Sequence, residues 1–249
     1  MQQHSKKLTT KFLDFLLPPV CLHCQQPLTQ SHELCATCWQ DIDFISAPFC
    51  PITGAPLPYA LPDNTLSANA IVSPPSYNKA RAIAHYKGTM RELIHKLKYK
   101  DCHELLPLFA RWLTHGGEDL LKNTDLIIPI PLHPKHLRQR KFNQAAMLAQ
   151  RVGQINNCPV AFNILKRKKK TQSQVGLTAS ERKTNLRGAF EVQTKKHHHL
   201  KEKNILLIDD VITTGATANA AAETLKQHGT KQITILCLAM VKVEKESLK

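Results

Sequence analysis

Two groups of side chains in this sequence have types and spacings that could support chemistry. Four cysteines form two CxxC pairs, Cys21-Leu-His-Cys24 and Cys35-Ala-Thr-Cys38. Two adjacent carboxylates, Asp209 and Asp210, precede a short loop rich in threonine. The cysteines predict a metal centre. The acids beside a hydroxyl-rich loop predict a site for a phosphorylated ligand.

The four cysteines Cys21, Cys24, Cys35 and Cys38 predict one structural zinc site. Thiolates at this spacing can surround Zn²⁺ tetrahedrally, and a reducing cytoplasm favours a metal over a disulfide. So small a module buries too little surface to fold alone, whereas zinc binding contributes on the order of 10 kcal/mol to folding. Four thiolates complete the coordination shell, so we expect His23 and His32 to be exposed. The alternative is a redox pair or unrelated thiols.

A further cysteine, Cys50, begins the segment Cys50-Pro-Ile-Thr53-Gly54, which resembles a third knuckle with threonine in place of its second cysteine. This segment cannot form a second site of four thiolates. Cys50 is either a core residue or an alternative ligand of the first zinc. The sequence leaves both interpretations open.

The stretch from Asn204 to Gly229 changes from a strand pattern to a helix pattern across one polar loop. Ile205–Ile208 is apolar and short enough for a strand that is buried on both faces, as in a parallel sheet. Ala218–Lys226 is rich in alanine and favours a helix, which Gly229 would end. We therefore expect the strand to end at Ile208 and the two acids to follow it.

The polar loop of this stretch suits a phosphate group. A helix amino end offers free backbone N–H groups and the positive end of the helix dipole, and threonine hydroxyls add donors. Two carboxylates would repel a phosphate unless they face sugar hydroxyls or Mg²⁺, which predicts a phosphorylated sugar with metal-bridged phosphates. A nucleoside triphosphate fits less well because the GxxxxGK[ST] pattern is absent. The alternative is an ordinary strand-to-helix turn whose acids face solvent.

The segment IDDVITTGAT resembles the phosphoribosyl pyrophosphate (PRPP) motif of the type I phosphoribosyltransferases. The resemblance implies that Asp209 and Asp210 hold the ribose hydroxyls of PRPP, with Mg²⁺ bound to its phosphates. It also implies that the following loop wraps the 5′-phosphate. The residues of that loop are Val211, Thr213, Thr214, Gly215, Ala216 and Thr217.

Three further segments narrow the resemblance to the ComF family of phosphoribosyltransferase-like proteins. The run PIPLHPKHLRQRKFNQ, which starts at Pro129, is similar to the VPVP and RGFNQ signature of that family. Thr171 to Phe190 matches its TxxQ, ER and NLRxAF block, and Tyr86-Lys-Gly88 also matches. The family implies a role in DNA uptake. Cations that could stabilise a pyrophosphate are Arg140, Lys141 and Arg182.

The chain departs from the family pattern at two places. Lys141 stands where glycine is usual, so the basic loop gains a charge and loses backbone freedom. The region from Ser67 to Ala70 lacks the cysteines of the fuller zinc module. We therefore expect one zinc ion.

The patterns together predict an α/β protein with a type I phosphoribosyltransferase fold, a parallel sheet flanked by helices, behind a small zinc-binding module. We predict three regions: the zinc module at residues 1–60, a linker rich in Pro, Ala and Ser at residues 61–76, and the phosphoribosyltransferase-type domain at residues 77–249. A length of 249 residues permits one α/β domain and a small appendage.

The charge balance favours polyanionic partners. The chain has 34 Lys and Arg against 19 Asp and Glu, a formal net charge of +15. The basic face of a predicted helix would meet solvent or an anion through Arg91, Lys96, Lys98 and Lys100. No apolar run approaches the roughly 20 residues that a membrane span needs. We therefore expect a cytoplasmic protein that has no membrane-spanning segment.

Two functions remain as hypotheses. In the first, Mg²⁺–PRPP binds at residues 209 to 217 and a nucleophile displaces pyrophosphate at the anomeric carbon, although no residue stands out as a general base. In the second, the domain keeps the PRPP pocket without catalysis and binds single-stranded DNA beside other DNA-uptake proteins. An aromatic content of only 6% means that such binding would depend on phosphate charge.

Overall fold

The computed structural model describes residues 18–58, 61–62, 64–133, 137–138, 140, 142–168, 188–193 and 200–242. The helices within these residues are α1 (Ala36–Gln40), α2 (Ala68–Val72), α3 (Gly88–Tyr99), α4 (Leu105–Gly116), α5 (Glu118–Leu121), α6 (Gln144–Asn156) and α7 (Ala216–Lys226). The strands are β1 (Lys79–His85), β2 (Leu126–Pro129), β3 (Leu165–Arg167), β4 (Phe190–Val192), β5 (Asn204–Ile212) and β6 (Gln232–Met240).

A four-stranded parallel sheet of order β1-β6-β5-β2 forms the centre of the fold. β5 and β6 occupy the middle, and their register runs from Asn204 opposite Gln232 to Ile212 opposite Met240. The remaining strands, β3 and β4, form a separate antiparallel pair within the described residues. The sheet confirms the prediction of a parallel α/β fold.

Side chains of β5 alternate between two apolar layers. Leu206 and Ile208 lie in the cluster formed with α3, α4 and α6. Ile205 and Leu207 lie in the cluster formed with α7, β3 and β4. This alternation explains the unbroken apolar run, because a strand that is covered on both faces must be apolar at every position.

Helices cover both faces of the sheet because each presents an apolar stripe to it. α3 buries Met90, Leu93 and Leu97 at helical spacing. α7 buries Ala218, Ala221, Ala222 and Leu225, and its small residues let the helix pack closely on the strands. These two helices begin directly after β1 and near the end of β5, so they position the carboxyl edge of the sheet.

The amino-terminal segment packs along the outer edge of β1. Ile45 N–H donates to the Ile83 carbonyl at 2.9 Å, and His85 N–H donates to the Asp43 carbonyl at 2.8 Å. The carboxylate of Asp41 accepts hydrogen bonds from the backbone N–H and the hydroxyl of Thr89, both at 2.7 Å, and so caps the first turn of α3. The two backbone bonds to β1 satisfy groups that an open sheet edge would leave unpaired.

The boundaries of the three predicted regions, 1–60, 61–76 and 77–249, stay a prediction. The interval 61–76 contains α2, and the hydroxyl oxygen of Ser67, the residue before that helix, lies 3.3 Å from the hydroxyl oxygen of Thr53.

Within the described residues, no helix combines the length and apolar character that crossing a bilayer requires.

Candidate functional site

The carboxyl ends of the parallel strands lie at one edge of the sheet, where the two adjacent acids are found. β5 ends at Ile212, and α7 begins at Ala216 after a three-residue loop. α3 reaches the same edge, since Lys98 near its end contacts Asp210 of β5. Open parallel sheets bind ligands in the crevice outside this edge. The carboxyl end of β5 is therefore the candidate site.

The strand that carries the acids is longer than its apolar pattern predicts. We expected it to end at Ile208, but β5 continues to Ile212, so Asp209, Asp210 and Val211 lie within the strand. The reason is its central position, because β6 supplies partners along the whole length of β5. The expectation that the acids stand beyond the end of the strand is therefore wrong.

As adjacent residues of a strand, the two acids point to opposite faces of the sheet. Asp210 faces the layer that contains α3, where it meets Lys98. Asp209 is paired in register with Cys237 of β6, and the charge of Arg167 in β3 acts on it from the other layer. The two carboxylates consequently have different neighbours, although the residues are adjacent in the chain.

Asp210 forms an ion pair inside the fold. Its Oδ1 lies 2.8 Å from Lys98 Nζ, and the two side chains are only 12% and 13% exposed. The lysine was expected to face solvent or a ligand, but α3 instead turns it towards β5. A desolvated pair of this kind holds both groups in a fixed geometry, because either charge alone would be costly to bury.

The carboxyl of Asp209 is harder to ionise than that of an ordinary aspartate. Burial and the neighbouring Asp210 carboxylate raise the pKa of Asp209 to about 7, although a hydrogen bond from the Asp210 N–H at 2.8 Å and the charges of Lys98 and Arg167 oppose the rise. A cation or a hydroxyl group placed against this carboxyl would favour the ionised form. Such a strongly shifted acid at a ligand-binding edge is typical of a functional position.

The loop before α7 presents an anion-binding surface. Thr213 and Thr214 are exposed, and Gly215 has φ of 74°, a left-handed conformation that glycine adopts without strain. α7 has 11 residues and begins at Ala216, and a helix presents its first backbone N–H groups at its amino end. Together with the helix dipole, these donors suit a phosphate group.

Of the three cations expected to bind a pyrophosphate, the structure describes one. Arg140 donates from Nη2 to Tyr99 Oη at 3.0 Å, and its guanidinium carbon lies 5.1 Å from the centre of the Tyr99 ring. Tyr99 follows Lys98 in α3, so Arg140 belongs to the same end of that helix as the Asp210 ion pair. Lys141 and Arg182 lie outside the described residues.

The zinc prediction is supported by the arrangement of the four thiols. The sulfur atoms of Cys21, Cys24, Cys35 and Cys38 all lie within 4.8 Å of one another. Tetrahedral Zn²⁺ with Zn–S bonds of about 2.3 Å places its sulfur ligands about 3.8 Å apart, so the four residues fit one structural Zn²⁺. Cys50 is not a member of this cluster, and Thr53 N–H donates to its sulfur at 3.5 Å.

Backbone donors around the first cysteine also fit a thiolate site. Burial acts to raise the pKa of the Cys21 thiol, but backbone hydrogen bonds from Cys35, Cys24 and His23 outweigh it and lower the pKa to about 6. The N–H of Cys35 donates to Cys21 Sγ at 3.3 Å. A thiolate held in this way is the form that binds a metal.

His23 connects the cysteine cluster to the main domain. Its Nδ1 lies 3.2 Å from Cys38 Sγ, and its Nε2 lies 2.8 Å from Glu92 Oε2 on α3. We expected this histidine to be exposed, but its side chain is only 20% exposed, whereas His32 is exposed as predicted. Lys96 of α3 donates to the carbonyls of Leu22 and His23 at 3.2 and 2.6 Å.

Sequence patterns miss the partners of Lys98 and His23 because these contacts join positions far apart in the chain. Lys98 meets Asp210, and His23 meets Glu92. The sequence does show cations at helical spacing along α3. That pattern predicts charged positions on the helix, but it does not predict which carboxylate each cation contacts.

Two family models match the chain at the two sites just described. Residues 12–70 match the double zinc ribbon domain, and residues 143–248 match the phosphoribosyl transferase domain. The second range contains β5, its acids and α7.

Curated relatives extend the match to most of the chain. It is 34% identical over 227 residues to Competence protein F of Haemophilus influenzae, covering 88% of this chain and 96% of that protein. It is 28% identical over 229 residues to the DNA utilization protein YhgH of Shigella flexneri, covering 89% and 97%. A solved purine phosphoribosyltransferase from Pyrococcus horikoshii is 23% identical, with a TM-score of 0.34 over 55% of this chain and 77% of that one.

Proposed function

The chain belongs to the competence protein F family, and from this premise we propose that it binds Mg²⁺–PRPP at the carboxyl end of β5 and acts in DNA uptake. One observation carries the proposal: a pair of acids and the amino end of α7 meet at the same strand end. Acceptors for sugar hydroxyls and donors for a phosphate are thus separated by the last two residues of β5 and a three-residue loop.

Each part of the ligand has a counterpart in this chain. The carboxylates of Asp209 and Asp210 would accept hydrogen bonds from the ribose hydroxyls. Thr213, Thr214 and the first N–H groups of α7 would donate to the 5′-phosphate. Bound Mg²⁺ would neutralise the pyrophosphate charge. Arg140 would add a cation on the α3 side of the site. Lys141 and Arg182 stay predicted pyrophosphate ligands from the sequence alone.

A transfer reaction at this site would go one step beyond ligand binding. If transfer occurs, a nucleophile attacks the anomeric carbon and pyrophosphate leaves with the bonding electron pair. The chain would then act by positioning the ligand and by stabilising the charge of the leaving group.

Calorimetric titration of PRPP, with and without Mg²⁺, tests the proposal. We expect binding only with Mg²⁺, and we expect Asp209→Asn and Asp210→Asn each to weaken it, because each loses a charged acceptor worth about 1.5–3 kcal/mol, or about tenfold or more in affinity. The matched control is Asp119→Asn, a surface acid paired with Arg81. Unchanged affinity in both site variants would place the ligand elsewhere.

A cleft on α3 supports single-stranded DNA as a second ligand. It has a volume of about 440 Å³ and is lined by Gly88, Arg91, Glu92, His95, Lys96 and Lys100. Lys96 already bonds to carbonyls of the zinc module, which leaves Arg91 and Lys100 as exposed cations of this cleft. Such a cleft would contact the phosphate backbone rather than read bases.

Salt dependence tests the DNA hypothesis. Binding of an unstructured oligonucleotide should weaken markedly between about 50 and about 200 mM salt, and Arg91→Ala with Lys100→Ala should flatten the log–log slope by about 1.4. Lys122→Ala with Lys231→Ala serves as the matched control, since both lysines are exposed and neither lines the cleft. Affinity that does not change with salt would contradict backbone contact.

A further inference from the structure

Residues 48–57 repeat the backbone arrangement of residues 19–28. In each segment a cysteine N–H donates to a carbonyl five positions on, from Cys21 to Gln26 and from Cys50 to Ala55, both at 2.8 Å. A second backbone hydrogen bond joins the two ends of each segment: Leu28 N–H donates to the Pro19 carbonyl at 2.7 Å, and Leu57 N–H donates to the Pro48 carbonyl at 2.9 Å. The second segment is therefore folded as a knuckle of the same kind as the first.

The turn at the centre of each knuckle is also the same. Gln25 N–H donates to the Cys21 carbonyl at 2.9 Å, and Gly54 N–H donates to the Cys50 carbonyl at 2.8 Å. Gln25 has φ of 64° and Gly54 has φ of 68°. This correspondence aligns Cys21 with Cys50 and Cys24 with Thr53.

The second half of each unit is a short helix. α1 and α2 both have five residues, and their N-cap residues have nearly equal backbone angles, φ −68° and ψ 161° at Cys35 against φ −65° and ψ 151° at Ser67. This correspondence aligns Cys35 with Ser67 and Cys38 with Ala70. Cys38 and Ala70 are both buried, at 6% and 2% exposure.

We infer that residues 48–72 form a second ribbon that folds without metal, in which Cys50, Thr53, Ser67 and Ala70 occupy the four ligand positions. The match to a double zinc ribbon domain implies two metal ions, but this donor set offers one thiol, two neutral hydroxyls and a methyl group. Structural zinc sites use thiolate and imidazole ligands, so the second set does not fit Zn²⁺.

Side-chain hydrogen bonds join three of the four positions, Cys50, Thr53 and Ser67, where a metal ion would otherwise join them. Thr53 N–H donates to Cys50 Sγ at 3.5 Å, and the Thr53 and Ser67 hydroxyl oxygens are 3.3 Å apart. Thr53 Oγ1 also accepts from the Ala55 N–H at 3.4 Å. Ala80 N–H of β1 donates to the Ile52 carbonyl at 2.7 Å, which fastens this ribbon to the sheet.

Restoring the ligands tests the inference in the full chain. The parent protein should carry about one zinc per chain, and the variant Thr53→Cys/Ser67→Cys/Ala70→Cys should carry about two, with twofold cobalt–thiolate absorbance after metal exchange. Adding Cys50→Ser to this triple variant should return the zinc content to about one. In the parent background, Cys50→Ser should leave the zinc content unchanged, whereas Cys24→Ser should lower it.

Three outcomes would overturn the inference. Two zinc ions in the parent would do so, and so would zinc loss in the parent Cys50→Ser variant. A triple variant that is folded by circular dichroism but still carries one zinc would show that the four positions do not converge. Should the triple variant fail to fold, the parent zinc content and the Cys50→Ser measurement decide the matter without it.

Discussion

At the scale of single residues, the adjacent acids of β5 show how strand geometry separates two identical side chains. Asp210 is paired with Lys98 in one layer, whereas Asp209 faces the other layer beside β6 and β3. Alternation along the strand is the cause. One carboxyl therefore has a cation as its direct partner, and the other has a raised pKa.

The raised pKa of Asp209, to about 7, predicts a pH-dependent stability. An unfolded aspartate titrates near pH 3.9, so between about pH 4 and about pH 7 the folded state binds more protons than the unfolded state. The free energy of unfolding should fall as pH rises through this window. Above it, the titration of Asp209 causes no further change. Urea unfolding between pH 4.5 and 8 measures the fall, and Asp209→Asn should reduce it; an equal fall in both proteins would contradict the assignment.

The Lys98–Asp210 pair predicts a large penalty for removing one partner. Lys98→Met leaves a carboxylate with little access to water and should lower the free energy of unfolding by about 3–5 kcal/mol. The double variant Lys98→Met/Asp210→Asn should recover part of the loss, because no charge is then left unpaired. Urea unfolding of the parent, both single variants and the double variant gives the coupling energy. A loss below about 1 kcal/mol in Lys98→Met would show that the pair is not maintained in solution.

At the scale of secondary structure, two glycines with left-handed backbone angles have different surroundings. A Cβ at Gly215 would lie 3.6 Å from Tyr77 Oη, an ordinary contact, whereas a Cβ at Gly54 would lie 2.5 Å from the Ala80 carbonyl oxygen. Gly215→Ala should therefore cost only the left-handed backbone penalty of about 1–2 kcal/mol. Gly54→Ala should cost more because β1 must also move.

Thermal unfolding of the two alanine variants checks this order. Asn tolerates the left-handed region better than Ala, so Gly215→Asn is a control that should recover part of the lost stability. Equal effects of Gly54→Ala and Gly215→Ala would mean that the second ribbon does not press against β1.

The elements that could be predicted from the sequence are those whose signals are local. The cysteine spacing specifies the zinc cluster because all four ligands lie within one short segment, and the change of pattern after Asn204 specifies β5, the loop and α7. The end of β5 could not be read from its own residues, because β6 determines how far the strand continues. The same holds for the pairs His23–Glu92 and Lys98–Asp210, whose partners come from different elements.

At the scale of the whole molecule, the zinc cluster is tied to the helix that reaches the candidate site. α3 contacts the first knuckle through Glu92 and Lys96, and the same helix carries Lys98. Zinc loss should therefore loosen α3 as well as the knuckle. We therefore expect the amino-terminal module to help hold α3, and with it Lys98, in position at the candidate site.

Cys24→Ser should reduce both zinc content and stability, because one thiolate ligand is lost from a site that contributes on the order of 10 kcal/mol to folding. We also expect PRPP affinity to fall, since α3 holds the partner of Asp210. Metal analysis, thermal unfolding and calorimetry measure the three effects. Cys102→Ser, which changes a cysteine outside the cluster, is the control. Full zinc content in Cys24→Ser would reject the four-thiolate site.

The strand order has a consequence for how the chain can fold during its synthesis. β6 is the latest strand along the described chain, yet it lies between β1 and β5. The ribosome therefore releases β1, the segment that covers its outer edge and all of β5 before the strand that joins them exists. Until β6 has emerged, β1 lacks its partner strand in the sheet. Such long-range pairing is slow and leaves apolar surface exposed in the meantime. Ribosome-bound chains that stop short of β6 should therefore be the ones that recruit chaperones.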